Sequence, residues 1–321
     1  DRFDWPDLFS SDETIFRPSV TTRSDPGPAS RTAEADSPTS DVTSGPDVGH
    51  LGVPRINGSP SAQSNMSGPR IKVDDFREDV RFDGIDGSGY TVAVLDSGID
   101  VNDPFFGPDL NGDNVSDRIV YQYDYVDDDT IAGDMDGHGS NVSSIIASSN
   151  GTYTGVAPGV NLAALRVLDV DGFGYWSDIE AALQWVIANA EAYNIVSVNM
   201  SIGDFAAYDE PVELYGFADE LATLAAMDII VVSAAGNAYY ELNSIQGVSY
   251  PAADPNSLAV GATFVAAEGQ VAWPDGPIAY TTGADVIAPY SQRDDELLDI
   301  FAPGSPVTGA GAGTPLTTYD G

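Results

Sequence analysis

The sequence predicts an α/β fold, a doubly wound and mostly parallel sheet with helices on both faces. Short apolar segments alternate along the chain with longer segments whose apolar residues recur at helical spacing. Such alternation is typical of a parallel sheet that is covered by helices on both faces. Polar motifs follow directly after several apolar segments. In such folds the loops at the carboxyl ends of the strands hold the chemistry, so we expect these motifs to share one edge of the sheet.

Individual elements can be predicted from Tyr90 onward. The apolar segments predict strands over residues 91–96, 161–168, 196–201, 228–236 and 257–263. Helical spacing of apolar residues predicts helices over residues 141–148, 178–193 and about 211–227. Ser177 stands just before the second of these helices and is a residue type that caps helix N-termini.

Composition limits the classes of function. The 321 residues are 42% hydrophobic and carry a formal net charge of −38. A surface this acidic repels phosphate groups, so nucleic acid is not expected as a partner. No run of about 18 apolar residues is present, so membrane insertion is not expected. The sequence has no cysteine, which excludes disulfides, thiolate catalysis and cysteine-bound zinc.

Composition also divides the chain into two parts. Residues 1–75 are rich in Ser, Pro, Asp, Gly and Thr, and we expect them to form a disordered linker or the remnant of a pro-region. Residues 76–321 carry the alternating pattern and are expected to form one domain. No leader with a charged and then an apolar stretch follows Asp1, so a signal peptide is expected to have been removed or to lie upstream.

Asp96 and His138 form a candidate acid–base pair. Asp96 ends an apolar segment in AVLDSGID, and His138 lies between two glycines in DMDGHGS, where a helix is predicted to begin. Taken alone, an Asp at a strand end commonly caps a turn, and a His at a helix start is commonly structural or solvent-facing. Taken together, the two side chains could meet across a cleft. The carboxylate would then hold the imidazole tautomer and stabilise its protonated form.

Two further motifs end predicted strands. Asn237 completes AAGN, and its side-chain N–H could donate to a developing oxyanion if the preceding glycine lets the backbone turn sharply. An Asn after a Gly is otherwise simply a turn residue. Ser201, Ile202 and Gly203 end another strand, and their open backbone edge could pair with an extended peptide.

An acidic loop is a candidate structural Ca²⁺ site. The segment DLNGDNVSD offers oxygen ligands at every second residue, from Asp109, Asn111, Asp113, the carbonyl of Val115 and Asp117. The complete EF-hand pattern is absent, and an acidic turn without metal is the alternative interpretation. No catalytic cofactor is expected.

The order of six motifs resembles the subtilisin-like (peptidase S8) family. LDSGID, DGHGS, VNMSIG, AAGN, YPA and FAPG follow one another over residues 90–304. The resemblance implies a subtilisin-like fold in which Asp96 orients His138, His138 acts as the general base and Asn237 donates to the oxyanion. It also implies that residues 201–203 form a backbone wall of the S1 pocket.

The chain departs from the family pattern in two places. The usual Gly-His-Gly-Thr-His-Val reads GHGSNV here, with Ser140 and Asn141 replacing Thr and the second His. The family's nucleophile stands in Gly-Thr-Ser at the start of a long buried helix, and Gly321 looks like the Gly of that motif. We therefore expect the serine and its helix to lie beyond Gly321, which leaves the fold incomplete at its C-terminus and these 321 residues inactive.

The leading hypothesis is a serine endopeptidase, secreted or on the cell surface, that cleaves polypeptides with an Asp-His-Ser triad. The alternative is a non-catalytic, calcium-stabilised extracellular module with the same fold. A nucleotide-binding enzyme is disfavoured, because no G-x-G-x-x-G opens a helix after the first strand and no P-loop is present.

Overall fold

The computed structural model describes residues 67–273 and 277–321 of the chain. The helices in these ranges are α1 (Ser67–Arg70), α2 (Val73–Glu78), α3 (His138–Ala147), α4 (Trp176–Tyr193) and α5 (Ala218–Ala226). The strands are β1 (Thr91–Asp96), β2 (Ile119–Asp124), β3 (Asn161–Arg166), β4 (Ile195–Met200), β5 (Ile230–Ala234), β6 (Ser257–Phe264), β7 (Val271–Ala272), β8 (Ile278–Ala279), β9 (Ile300–Ser305), β10 (Val307–Gly311) and β11 (Thr314–Tyr319). Within these ranges no helix has the length and apolar character needed to cross a membrane.

Seven strands form one sheet in the order β2-β3-β1-β4-β5-β6-β9. Every neighbouring pair in this sheet is parallel. Both α3 and α4 connect parallel strands of the sheet, which confirms the predicted doubly wound α/β class. The order of the strands reverses beside β1, so the crevice that such folds use for ligands opens at the carboxyl end of β1, where Asp96 lies.

The two faces of the sheet carry different helices. Alternate residues of β1 point to opposite faces, and Ala93 and Leu95 pack into a core that also contains buried residues of α4 and α5. Val94 belongs to a second core, on the other face, together with Ala147 of α3. Helix α3 therefore lies on the face opposite α4 and α5, and its first residue comes close to the end of β1.

One face of β5, β6 and the edge strand β9 is left open among the described residues. Along β5, Val231 and Ser233 point to one face and are buried. Ile230, the first residue of the strand, points to the other face and is 51% exposed. The pairing register carries the same alternation to β6 and β9, where Leu258 is 38% exposed and Ile300 is 54% exposed. Parallel sheets are normally buried on both faces. The described residues thus leave room on this face of the sheet for one more covering helix or segment.

Apart from shifts of one to three residues at the ends of elements, three details differ from the sequence predictions. Helix α4 begins at Trp176 after an N-cap at Tyr175, so Ser177 lies inside the first turn and is not the cap. The helix predicted over 211–227 is confined to α5, because Tyr215 and Gly216 have positive φ, which ends any helical run before it. Helices α1 and α2 begin before residue 76, whereas the rest of the predicted linker, residues 1–66, lies outside the described residues.

A buried ion pair fixes the carboxyl ends of β2 and β3. Arg166 and Asp124 are both nearly inaccessible, and the guanidinium group donates to the Asp124 carboxylate. The same guanidinium nitrogen reaches Asp127, whose side chain is 64% exposed, at 2.8 Å. Because Arg166 pairs in register with Asp96 of β1, this ion pair supports the sheet edge from which the site is built.

Replacing Arg166 by Met should destabilise the fold by about 3–5 kcal/mol, because the Asp124 carboxylate would remain buried without its cation. The matched control, Asp127→Asn, removes a mostly exposed partner and should cost less than about 1 kcal/mol. Denaturant unfolding of the two variants measures both values. Equal losses for the two variants would contradict the assignment of the buried pair as the dominant one.

Candidate active site

His138 and Asp96 are in direct contact. The ring nitrogen Nδ1 of His138 lies 2.7 Å from Oδ1 of Asp96, and the Asp96 side chain is buried while that of His138 is 17% exposed. An ionised carboxylate can only accept hydrogen bonds, so Nδ1 carries the proton and Nε2 is left as the basic nitrogen. The other oxygen of Asp96 is buried and accepts no hydrogen bond from the described residues. The contact that the sequence left open is therefore made.

The glycines around His138 permit this contact. A side chain at Gly139 would place its Cβ 2.1 Å from the carbonyl oxygen of Gly98, so only glycine lets α3 approach the segment after β1. Gly137 is the N-cap of α3 and has φ of 101°, a conformation that other residues rarely adopt. The sequence Gly-His-Gly is thus a requirement of the backbone on both sides of the imidazole.

Side chains satisfy the first backbone amides of α3. The N–H of His138 donates to Asp136 at 3.1 Å, and the N–H of Gly139 donates to the Ser97 hydroxyl at 2.9 Å. Ser97 also donates its own N–H to Oδ1 of Asp96 at 2.7 Å. Helix termini leave such amides without intrahelical partners, so this set of caps anchors the helix at its first turn.

The electrostatic surroundings raise the pKa of His138. Burial alone lowers it, but the charge of Asp96 and the hydrogen bond to it raise it, and Asp136 and Asp134 add to this effect. The net result is a pKa above the ordinary value of histidine. The imidazolium form is therefore more stable, relative to the neutral form, than in a free histidine, as expected for a cation held among carboxylates.

Tyr319 forms a wall beside the imidazole. Its ring meets that of His138 edge to face, with the centroids 5.4 Å apart and an interplanar angle of 86°. Tyr319 ends β11, and the β10–β11 hairpin is bound to α3 through the Asn141 side chain, which donates to the Thr317 carbonyl at 2.9 Å. Asn141, which departs from the family pattern, thus helps to hold the segment that confines His138.

Asn237 and His138 line the same cavity. The cavity has a volume of about 250 Å³, and its lining also includes Ser201 and Gly321. The glycine before Asn237 turns as predicted: Gly236 has φ of 106°, and a Cβ there would lie 2.2 Å from the Gln292 side chain. The rest of the lining is mostly apolar and comes from α3, β5, β6 and β9.

Residues 201–203 follow β4 at the same edge of the sheet. Ile202 is 2% exposed and points into the core, and a Cβ on Gly203 would lie 2.6 Å from the Ser249 hydroxyl. These two residues therefore offer backbone rather than side chain to the cleft. Their part in binding a substrate stays a prediction.

The acidic loop closes on itself. Asp109 accepts the backbone N–H groups of Gly112 and Asn114 at 2.7 and 3.0 Å. The oxygens of the other three predicted side-chain ligands also accept backbone N–H groups of this loop, and these ligands are Asn111, Asp113 and Asp117. No cluster of three or more His, Cys, Asp or Glu suited to a metal occurs within residues 67–273 and 277–321. In this arrangement the loop does not present a formed cation site. Ca²⁺ binding by the five ligands, which include the carbonyl of Val115, stays a prediction.

Sequence reasoning missed Ser97, Asp134 and Tyr319. Ser97 and Asp134 each lie within four residues of a candidate residue, and their types are those that cap helices, which was the available signal. Tyr319 reaches the imidazole from a distant hairpin, and no local pattern indicates such a contact.

The His138–Asp96 pair should make stability depend on pH with a defined sign. Because the folded pKa of His138 lies above its unfolded value of about 6.5, the pair contributes fully below that value. The contribution is lost as the pH rises through the folded pKa. His138→Gln should therefore lower the Tm more at about pH 6 than at about pH 9. For a domain of this size, a change of one kcal/mol in stability corresponds to about 2–4 °C in Tm. A difference that stays constant or grows with pH would contradict this sign.

Comparison with known proteins gives one consistent result. The model of the subtilase family (Peptidase_S8) matches residues 87–320. Subtilisin of Bacillus pumilus is 30% identical over 240 residues, which are 74% of this chain and 73% of that protein. Alkaline serine exoprotease A of Vibrio alginolyticus is 29% identical over 225 residues, which are 70% of this chain but only 34% of that protein.

A solved structure gives the same result at the level of the fold. The crystal structure of a cold adapted subtilisin-like serine proteinase aligns with a TM-score of 0.55 and 28% identity, covering 74% of this chain and 71% of that one. With its parallel sheet, its ordered motifs and a family match over most of its length, the chain belongs to the subtilase family.

Proposed function

We propose that the protein is a serine endopeptidase in which Asp96 orients His138 and His138 is the general base. The observation that carries this proposal is the 2.7 Å contact between Nδ1 of His138 and Oδ1 of Asp96, on a ring that lines the cavity. The contact fixes the tautomer that leaves Nε2 basic. Membership of the subtilase family supports the same chemistry.

The proposed reaction is acyl transfer. Nε2 of His138 takes the proton of a serine hydroxyl while the serine oxygen attacks the scissile carbonyl carbon. Asp96 stabilises the resulting imidazolium without taking a proton itself. Asn237 donates its side-chain N–H to the oxyanion that forms on the carbonyl oxygen. Collapse of this intermediate breaks the C–N bond, and the imidazolium gives its proton to the departing amine.

The substrate is proposed to be an extended polypeptide. The backbone that follows β4, residues 201–203, lies at the sheet edge beside the cavity, and it could pair with a peptide strand. Gly203 supports this role. Because it has no side chain, its backbone lies against Ser249. The net charge of −38 and the absence of cysteine are compatible with the proposed extracellular or cell-surface setting.

The nucleophile is proposed to be a serine that follows Gly321 in the complete protein and begins an apolar helix. The open face of β5, β6 and β9 supports this proposal, because a parallel sheet needs a cover there. Gly321 lies on the wall of the cavity that contains His138, and its N–H donates to the Gly304 carbonyl at 2.9 Å. A helix that starts from this point would bring its first residues beside the imidazole. A protein made of these 321 residues alone is then expected to be inactive.

Labelling with a fluorophosphonate tests the proposal. The protein encoded by the complete gene should react, and mass spectrometry should find the adduct on a serine just after Gly321. The His138→Ala variant should fold but react several orders of magnitude more slowly, because the base would be missing. A folded protein that does not react would contradict the proposal and favour the non-catalytic module.

Asn237 should contribute through the transition state. Asn237→Ala should reduce kcat by about 10²–10³-fold with little change in KM, which is the loss known for this donor in subtilisin. The matched control is Asn189→Ala in α4, on the opposite face of the sheet, which should leave kcat unchanged. Steady-state kinetics on a peptide substrate measures both. An Asn237→Ala variant with normal kcat would remove Asn237 from the oxyanion site.

We also propose that the loop over residues 109–117 binds Ca²⁺ in a structural role, by exchanging its backbone N–H partners for the ion. Four oxygen-bearing side chains within this loop support the idea. Ca²⁺ at about 100 times its Kd should then stabilise the fold by about 2.7 kcal/mol, or several degrees in Tm. Asp113→Asn should remove most of this shift. A Tm that does not respond to Ca²⁺ would leave the loop as an acidic turn.

A further inference from the structure

Asp134 lies between the end of β1, which supplies the candidate acid Asp96, and the start of α3, which supplies the candidate base His138. Its carboxylate accepts five hydrogen bonds, and the donors are the Ser97 hydroxyl, the N–H groups of Asp136, Gly137 and Ser140, and the Ser140 hydroxyl, at 2.6–3.1 Å. Ser97 comes from the segment after β1, and the other donors come from the start of α3. One half-buried carboxylate therefore connects the strand that ends in Asp96 with the helix that begins at His138.

The contacts form a continuous path to both members of the pair. Ser97 donates its backbone N–H to Asp96 at 2.7 Å and its hydroxyl to Asp134 at 3.0 Å. The same hydroxyl accepts the N–H of Gly139, the residue after His138, at 2.9 Å. On the other side, the Ser140 hydroxyl donates to Asp134 and accepts the N–H of Asp100 at 2.9 Å. The segment after β1 is thus attached to α3 at both of these serines.

The cap of α3 makes this path necessary. The N-cap is a glycine and has no side chain with which to satisfy the free amides of the helix. Asp134 accepts the N–H groups of Gly137 and Ser140 instead, at 2.8 Å each. A carboxylate at this end of a helix is also favoured by the helix dipole. Removing it would leave the first turn free to shift, and the imidazole is the first side chain of that turn.

We infer that Asp134 is a positioning residue, which acts through Ser97 and the first turn of α3 to hold the His138 imidazole against Asp96. This inference rests on the proposed function for its effect on catalysis. It assigns Asp134 no contact with the substrate or with the reacting atoms. The charge of Asp134 also favours the imidazolium form of His138, alongside Asp96 and Asp136.

The test measures both the titration of His138 by NMR and the pH profile of kcat, in the protein encoded by the complete gene. Asp134→Asn preserves size but removes the charge and one pair of acceptor sites. We expect the pKa of His138 to fall, the acid limb of kcat to move to lower pH and the plateau of kcat to drop by about ten- to a hundredfold. KM should stay unchanged.

A second pair of variants separates positioning from stability. Ser97→Ala removes the hydroxyl that joins the segment after β1 to Asp134 and to α3, and it should change the His138 titration and kcat in the same direction. Ser97→Thr retains a hydroxyl and should restore both. Should Asp134→Asn fail to fold, this pair of variants decides the question. The matched control is Asp294→Asn, a carboxylate that also accepts two backbone N–H groups, at 2.9 and 3.0 Å, and it should change neither readout.

The two proposals fail in distinguishable ways. If the unaltered protein has no peptidase activity, the proposed function is wrong, whereas the titration of His138 still tests Asp134. If Asp134→Asn and Ser97→Ala lower only the Tm and leave the pKa of His138 and kcat unchanged, the positioning role is overturned and the network is merely structural.

Discussion

The close approach of one helix to one strand end is the constraint on which the site depends. Helix α3 begins so near the segment after β1 that a Cβ at Gly139 would overlap the Gly98 carbonyl oxygen at 2.1 Å. This approach brings the imidazole of His138 to Asp96, and it also buries Gly139 and Ser140 in the first turn of the helix. Side chains must then satisfy the amides of this turn, and Ser97, Asp134 and Asp136 do so. The geometry of the pair and the capping of the helix are therefore one arrangement.

The charge of the site follows from the same arrangement. Two of the side chains that cap α3, Asp134 and Asp136, are carboxylates rather than hydroxyls. They therefore lie near an imidazole that already contacts Asp96. Their combined charge outweighs the effect of burial and raises the pKa of His138. A base held in this way is strengthened, but a larger share of it is protonated near neutral pH. Stability and the proposed catalysis are thus coupled through one side chain.

Much of the fold could be predicted from the sequence because its strands are short, apolar and bounded by glycine or polar residues. β1 is found over the predicted residues, and the ends of the other predicted strands differ by one or two residues. The error at the start of α5 arose because the apolar residues within 212–217 resemble a helix, whereas Tyr215 has positive φ and its hydroxyl donates to Asp204, in a segment outside the predicted helix. Local pattern contains no information about such contacts.

The site was predictable only in part, for a similar reason. Asp96 and His138 could be named because each ends or begins an element, and parallel topology brings such positions to one edge. The contact between Tyr319 and His138 could not be predicted, because the ring of Tyr319 comes from a hairpin about 180 residues later in the chain. The Ca²⁺ site in the acidic loop stays a prediction. The spacing of its residues shows which oxygens could be ligands, but not whether an ion replaces the backbone N–H groups that donate to these oxygens here.

The hydrogen bond between Nδ1 of His138 and Asp96 is the centre of this account, and proton NMR observes it directly. A proton held between an imidazolium and a buried carboxylate resonates far downfield of the amide region. We expect one such resonance below the pKa of His138, coupled to a labelled imidazole nitrogen and lost in Asp96→Asn. A folded protein that lacks this resonance at every pH and temperature, with His138 titrating as a free histidine, would contradict the account.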